Sequence, residues 1–258
     1  MSTQQIVLSL VLATMVFSVA LELQLDDFLR VARSPKAVVV GLVPQFILLP
    51  VGTWAATLVL DLPPNVEAAM ILVAACPGGS LSNVVTHFGR GNTALSVSIS
   101  AVASLIALLA LPLALGLTLT RRLPDFSARI RKPLGNFSLI ALLAFIVLGL
   151  IKERQLLTLG LLPTLGLVVV HNASGLLMGW VTSGVMGLNT ADRRAVTIEG
   201  GMQNAGLALG IIAVQFNADL GMVIIASLWG IWHIVSGMSL ALLWRRLDRR
   251  PSEGDTHA

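Results

Sequence analysis

Long apolar runs, separated by short stretches rich in charge, Pro or Gly, recur along the whole chain. Crossing about 30 Å of hydrocarbon takes roughly 20 helical residues, and reading the runs at that length gives nine candidate spans. They fall at about 4–22, 36–60, 66–88, 92–119, 135–151, 155–173, 174–190, 194–217 and 219–244. The pattern predicts an all-α polytopic membrane protein with short loops and a single transmembrane domain over residues 1–258. The seventh run is short and Gly-rich, so the 173/174 division is the least marked of the series.

Two spans depart from the helical rule in matching ways. The third contains Pro77-Gly78-Gly79-Ser80-Leu81-Ser82-Asn83 and the eighth Glu199-Gly200-Gly201-Met202-Gln203-Asn204. In a helix Gly costs about 1 kcal/mol and Pro about 3 relative to Ala, so both clusters predict unwound segments in mid-span. Paired interruptions in the two halves of a chain point to an inverted-repeat transporter whose binding site lies at the breaks. The competing reading is that each Gly-Gly pair only lets helices approach closely.

Polar residues gather around these clusters. Of 13 acidic residues, only Glu199 falls inside an apolar run. A carboxylate at membrane depth costs about 2.5–3.5 kcal/mol on insertion scales and usually lines an ion path or meets a cation. Otherwise Glu199 is a helix-end residue beside Arg193 and Arg194. The fourth span adds Thr93, Ser96, Ser98 and Ser100, and a spacing of four puts Ser96 and Ser100 on one helix face. Alkali cations take oxygen ligands, and Glu199, Gln203, Ser82, Asn83, Ser96 and Ser100 supply them, although each serine alone also fits an interhelical hydrogen bond. Gln45, after Pro44, is another isolated polar group open to both readings. His87 and His171 are expected near span ends and His257 in the tail. His233 lies deep in an apolar run, as a hydrogen-bonded core residue or a substrate contact.

Composition agrees: 55% of residues are hydrophobic, mean hydropathy is +0.86 and 12% are charged, against about 25% charged in soluble domains. The net charge of +4 sits in loops and at the C-terminus, where it sets membrane orientation rather than binding nucleic acid. Nine spans put the termini on opposite sides, with 12 Lys and Arg on the C-terminal side and five on the other, all five within residues 121–132. This predicts a cytoplasmic C-terminus and a periplasmic N-terminus in an inner membrane. The single cysteine, Cys76, excludes an intramolecular disulfide and multi-cysteine metal sites. Ser18-Val19-Ala20 has the small-x-small form of a signal-peptidase site, but no Lys or Arg precedes the run from Ile6, so it is expected to be a retained span.

The chain resembles the bile acid:sodium symporter family. The residues that carry the resemblance are Cys76 to Val84, Arg90 to Ser98 and Glu199 to Leu207, with 37–46 similar to the helix before the first crossing. The resemblance implies two sodium sites. Ser82, Asn83, Ser96, Ser100 and Glu199 occupy the positions of one, and Gln45, Glu199, Gly200, Met202 and Gln203 those of the other, with Gly200 and Met202 offering only backbone carbonyls. It places Ser80, Asn204 and His233 as substrate contacts beside the crossing. It also implies a core of about 36–119 and 174–244 and a panel of about 4–22 and 135–173, with the first of the family's ten helices missing.

These readings define a secondary transporter, not an enzyme, with sodium as coupling ion and no other cofactor. It would symport a small organic anion, such as a bile acid-like, pantoate-like or 2-oxo acid, by alternating access. One alternative is a sodium-independent facilitator or exporter of the same fold. A remoter one is an intramembrane hydrolase using Ser80 or Ser82 with His87 or His233, although Gly78-Gly79-Ser80-Leu81-Ser82 lacks the G-x-S-x-G elbow.

Overall fold

In the computed structural model the described residues are 34–107 and 161–248, with isolated positions 14, 125, 129 and 133. The spans expected at 4–22 and 135–151, most of the panel and the basic 121–132 loop lie outside them. Every regular element among the described residues is helical.

The first path is α1 (Pro35–Val43), a π-helical turn (Pro44–Leu48) and α2 (Leu49–Leu60). Pro44 brings no N–H and its ring crowds the preceding turn. The chain absorbs this by widening, with Leu49 N–H bonding Pro44 O five residues back. The turn sets Gln45 inward, fully buried. Asp61 then ends α2 in the left-handed region, at φ 46°.

Next come α3 (Pro64–Ala75) and α4 (Ser80–Phe88), bent by 66° at the residues between. Pro77 forces the residue before it out of the helical region, and Cys76 is extended, at ψ 138°. The turn Gly89-Arg90-Gly91 leads into α5 (Thr93–Ala107), where Asn92 Oδ1 accepts from Leu95 N–H.

In the second half, α6 (Leu161–Val185) is one uninterrupted helix of 25 residues. The expected division at 173/174, and with it a core–panel boundary there, is therefore not present. The glycines that make the seventh run Gly-rich form a packing stripe on this helix. A Cβ on Gly175 would lie 2.5 Å from Gly200 O, and one on Gly179 2.6 Å from Val196 O. The nine-span parity behind the opposite-sides expectation relied on that division.

The stripe packs on α7 (Thr190–Gly201), which is followed by α8 (Ala205–Gln215) and α9 (Leu220–Leu247). Asn189, Asn204 and Asp219 cap α7, α8 and α9 by accepting N–H groups of Asp192, Leu207 and Met222. Among the described residues three paths are long and apolar enough to cross a membrane, Pro35–Leu60, Leu162–Val185 and Leu220–Leu247, and the bent α3–α4 pair makes a fourth.

The two broken pairs run in opposite directions. Asn65, opening α3, reaches Asp219 after α8, whereas Gly89 O, closing α4, accepts from Arg194 of α7. They cross at their breaks, where Asn204 N–H donates to Pro77 O at 2.8 Å. Apolar clusters hold the crossing. Trp229 of α9 anchors one with α3 and α8, Ile99 of α5 a second with α1 and α7, and Met202 a third with α4 and α9.

Candidate functional site

The first break unwinds Pro77, Gly78 and Gly79, so Ser82 and Asn83 lie on α4 rather than in the unwound stretch. In the second, Glu199, Gly200 and Gly201 remain helical, and the unwound residues are Met202, Gln203 and Asn204. The expectation that Gly200-Gly201 unwinds is thus corrected. These glycines serve backbone contact with α6, since a Cβ on Gly200 would lie 2.8 Å from Gly175 O.

Glu199, the tenth residue of α7, is fully buried. Its carboxylate meets three hydroxyls. Ser82 Oγ donates to Oε1 at 2.6 Å, Ser100 Oγ lies 3.1 Å from Oε1 and 3.0 Å from Oε2, and Ser96 Oγ also donates to Oε1. The shared helix face read for Ser96 and Ser100 brings both to one carboxylate. Among the described residues no Lys, Arg or His pairs with it. Each serine carries one proton, and two have a second acceptor in reach: Gly79 O at 2.7 Å from Ser82 Oγ and Asn83 Oδ1 at 2.8 Å from Ser96 Oγ. Turning those protons away from Glu199 would leave hydroxyl lone pairs and a carboxylate facing one point, the donor set of a hard monovalent cation.

A second polar space lies beside Gly78. A Cβ there would be 2.5 Å from Glu199 Oε2, 3.1 Å from Gln45 Nε2 and 3.3 Å from Met202 O. Both polar atoms of the Gln45 side chain, and Gln203 Oε1, are buried without a protein partner. Buried polar atoms in folded proteins are nearly always bonded, so these orphans call for a ligand. Gln203 Nε2 is 3.5 Å from Gly200 O. Glu199 is thus shared between two oxygen-rich clusters, one at the α4–α5 hydroxyls and one at the π-turn and second break. One negative charge among neutral oxygens suits alkali ions better than a divalent ion, which draws several carboxylates.

The other candidates divide. Asn204 lies against Gly79, its Nδ2 3.6 Å from a Cβ placed there, with its Oδ1 engaged by the α8 cap. Ser80 opens α4 with an exposed side chain. His233 is buried, bonded to Trp229 O at 2.9 Å, on the α9 face whose Gly230 and Gly237 approach Ala205 and Met202. Ser98 does not join the Glu199 cluster and instead donates to Ala94 O. His87 is exposed near the end of α4.

Two buried polar residues, Thr86 and Asn172, were missed and a third, His171, was misplaced. Thr86 Oγ1 donates to Ser96 Oγ at 3.3 Å. Asn172 Nδ2 donates to Gly201 O at 2.6 Å. His171, expected near a span end, lies in the middle of α6: Trp229 Nε1–H donates to its Nδ1 at 2.9 Å, and its Nε2 is 2.7 Å from Thr53 Oγ1. An indole only donates, so Nδ1 accepts and Nε2 carries the proton. The misplaced 173/174 division hid both His171 and Asn172, for inside one long apolar helix the pair His171-Asn172 would have stood out.

Two crossed, oppositely directed broken helices around a carboxylate that is buried and without a cationic partner among the described residues are the arrangement expected of a secondary transporter. The comparisons agree. Residues 9–114 match the Sodium Bile acid symporter family. A Bacillus subtilis protein named "Uncharacterized sodium-dependent transporter" is 28% identical over 279 residues, covering 96% of this chain and 85% of that protein. The Arabidopsis thaliana protein named "Probable sodium/metabolite cotransporter BASS1, chloroplastic" is 30% identical, covering 87% of this chain, which spans 63% of its length. The human ileal sodium/bile acid cotransporter is 26% identical, with 83% and 70% covered. Over most of its length the chain is similar to sodium-dependent membrane transporters, and its residues 9–114 to the sodium bile acid symporter family. It is a transporter and not an enzyme.

Proposed function

We propose that the chain symports a small organic anion with sodium by alternating access, using two sodium sites that share Glu199. Ser82, Asn83, Ser96 and Ser100 hold the first ion and Gln45, Gln203 and the carbonyls of Gly200 and Met202 the second. The observation that carries this reading is the buried carboxylate facing oxygen donors on two sides with no cationic partner among the described residues. Filling both sites ties α4, α5, α7 and the π-turn to one charge and fixes the two unwound segments. The substrate site is then completed beside the crossing by Ser80, Asn204 and His233. The start of α8 after the break offers N–H groups and a positive dipole end to an anionic carboxylate. Relatives named for bile acids and for metabolites support an organic anion as cargo.

Charge at the two ends supports the orientation. Lys36, Arg90, Arg193, Arg194, Arg245 and Arg246 gather at the end where α9 finishes, whereas the turns 61–63 and 216–219 at the other end carry no Lys or Arg. Cationic loops are retained in the cytoplasm, so the C-terminal end of α9 faces inward.

The test is tracer uptake of a panel of organic anions into proteoliposomes, with an inward sodium gradient or with potassium replacing sodium. Uptake that needs sodium and carries inward current for a monovalent substrate is the expected result. Equal uptake in potassium would establish a facilitator instead.

A further inference from the structure

We propose that Asn172 of α6 is a positioning residue for the second cation site: by holding the Gly201 carbonyl it decides which carbonyls freed by the break turn toward the ion. The inference rests on the sodium-coupled reading above.

In an unbroken helix Gly201 O would accept the N–H of Ala205. Here Ala205 N–H bonds Gln203 O at 3.0 Å, because the chain unwinds at Met202. Gly201 O is left in an apolar interior, where an unpaired carbonyl is costly. Asn172 takes its place as donor, with Nδ2 at 2.6 Å from Gly201 O and the residue 1% exposed. The neighbouring carbonyls have no comparable partner in view. The N–H of Asn204, which helical geometry would give to Gly200 O, goes to Pro77 O at 2.8 Å, and Gly200 O has only Gln203 Nε2 at 3.5 Å.

The bond to Gly201 has a directional consequence. Met202 is extended, at φ −118° and ψ 99°, and across an extended residue successive carbonyls point to opposite sides. With Gly201 O fixed against α6, Met202 O turns the other way, into the space beside Gly78 where Glu199 Oε2 and Gln45 Nε2 also converge. The donor itself is fixed in place. Asn172, Gly175 and Gly179 share one face of α6, and the two glycines bring its backbone against Gly200 and Val196. The other end of the amide, Oδ1, has no protein partner, so the bond to Gly201 O is what holds this buried polar side chain.

The experiment uses sodium alone as the probe on the purified full chain. Thermal unfolding is followed while sodium replaces potassium at constant ionic strength, for the wild type, Asn172→Asp and Asn172→Ala. Aspartate keeps the shape and removes the donor, and alanine avoids placing a charge there if aspartate prevents folding. The expected result is a sodium midpoint raised about tenfold in either variant, the loss associated with one buried hydrogen bond. The response should also become less steep as the second site is weakened. A purely structural role would lower the melting temperature equally in both salts and leave the sodium midpoint unchanged, and that outcome overturns the inference alone. No sodium stabilisation of the wild type would overturn the sodium reading and this inference with it.

Discussion

The two breaks share a Gly-Gly pair followed by polar residues, yet their glycines do different work. At the first, Pro77 unwinds the chain and Gly78 is small because Glu199 and Gln45 occupy the space a side chain would fill. At the second, Gly200 and Gly201 stay helical, and their missing side chains let α6 and α7 touch backbone to backbone. Unwinding starts only beyond them, with amide side chains and a neighbouring helix replacing the lost backbone bonds. A glycine pair in mid-span therefore marks close approach, and what approaches decides its role: a carboxylate in one case and another helix in the other.

The largest effect should come from the residue common to both breaks. Glu199→Gln keeps the shape and removes the charge that offsets desolvation of the bound ions. Sodium dependence of uptake should disappear or move up by about a hundredfold, the factor matching about 2.5–3.5 kcal/mol. Unchanged sodium dependence at matched membrane expression would return Glu199 to a structural role.

Gly175→Ala sharpens the contrast at the second break. Its Cβ would sit 2.5 Å from Gly200 O, a backbone atom that cannot turn aside. Overpacking of this kind costs about 1–3 kcal/mol, so the melting temperature should fall in potassium as well as in sodium, and displacement of the Gly200 carbonyl should also raise the sodium midpoint. An unchanged melting temperature in potassium would mean that the α6–α7 contact serves the ion site alone and not the packing of the fold.

Gly78→Ala should do the reverse. The added methyl would lie 2.5 Å from Glu199 Oε2, a side-chain end that can rotate away at the expense of the second site. Little change in potassium and a sodium midpoint raised by roughly tenfold are expected in thermal-shift titrations.

Smaller still, Asn83→Ala should weaken only the hydroxyl-side cluster and Gln45→Ala only the π-turn cluster. Each would leave a shallower but persistent sodium response in uptake curves. Abolition of all dependence by either would argue for a single merged site.

The smallest effect is expected at the latch beside the C-terminal end of α9, where Arg194 donates to Asp248 at 2.7 and 2.9 Å and also to Gly89 O, joining α4, α7 and α9. The Arg194 guanidinium holds the Asp248 carboxyl below the ordinary carboxylate value. A lowered folded value means the latch stabilises fully above the ordinary value, about 3.9, and is lost as pH falls through the lowered one. The melting temperature of the wild type should therefore drop more steeply under acid than that of Asp248→Asn. Parallel curves would show that the latch adds nothing to stability.

Much of this protein was legible in the chain because membrane burial leaves coarse marks. Apolar runs about 20 residues long mark spans, and a carboxylate within such a run stands out whatever the tertiary structure, as Glu199 does. The four-residue spacing of Ser96 and Ser100 fixed their common face, since it follows from helix geometry alone. What only the tertiary structure decided was what each small or polar residue faces. The glycines of α6 read only as a short Gly-rich run because sequence gives the absence of a side chain but not the backbone of Gly200 lying against it. Gln45 reads as a lone polar group until the π-turn at Pro44 rotates it inward. Asn172 gains its role only when a helix 29 residues away along the chain ends beside it and leaves a carbonyl without a donor. Helix geometry is local and repeats in sequence, whereas which unpaired atom meets which partner depends on how distant helices cross.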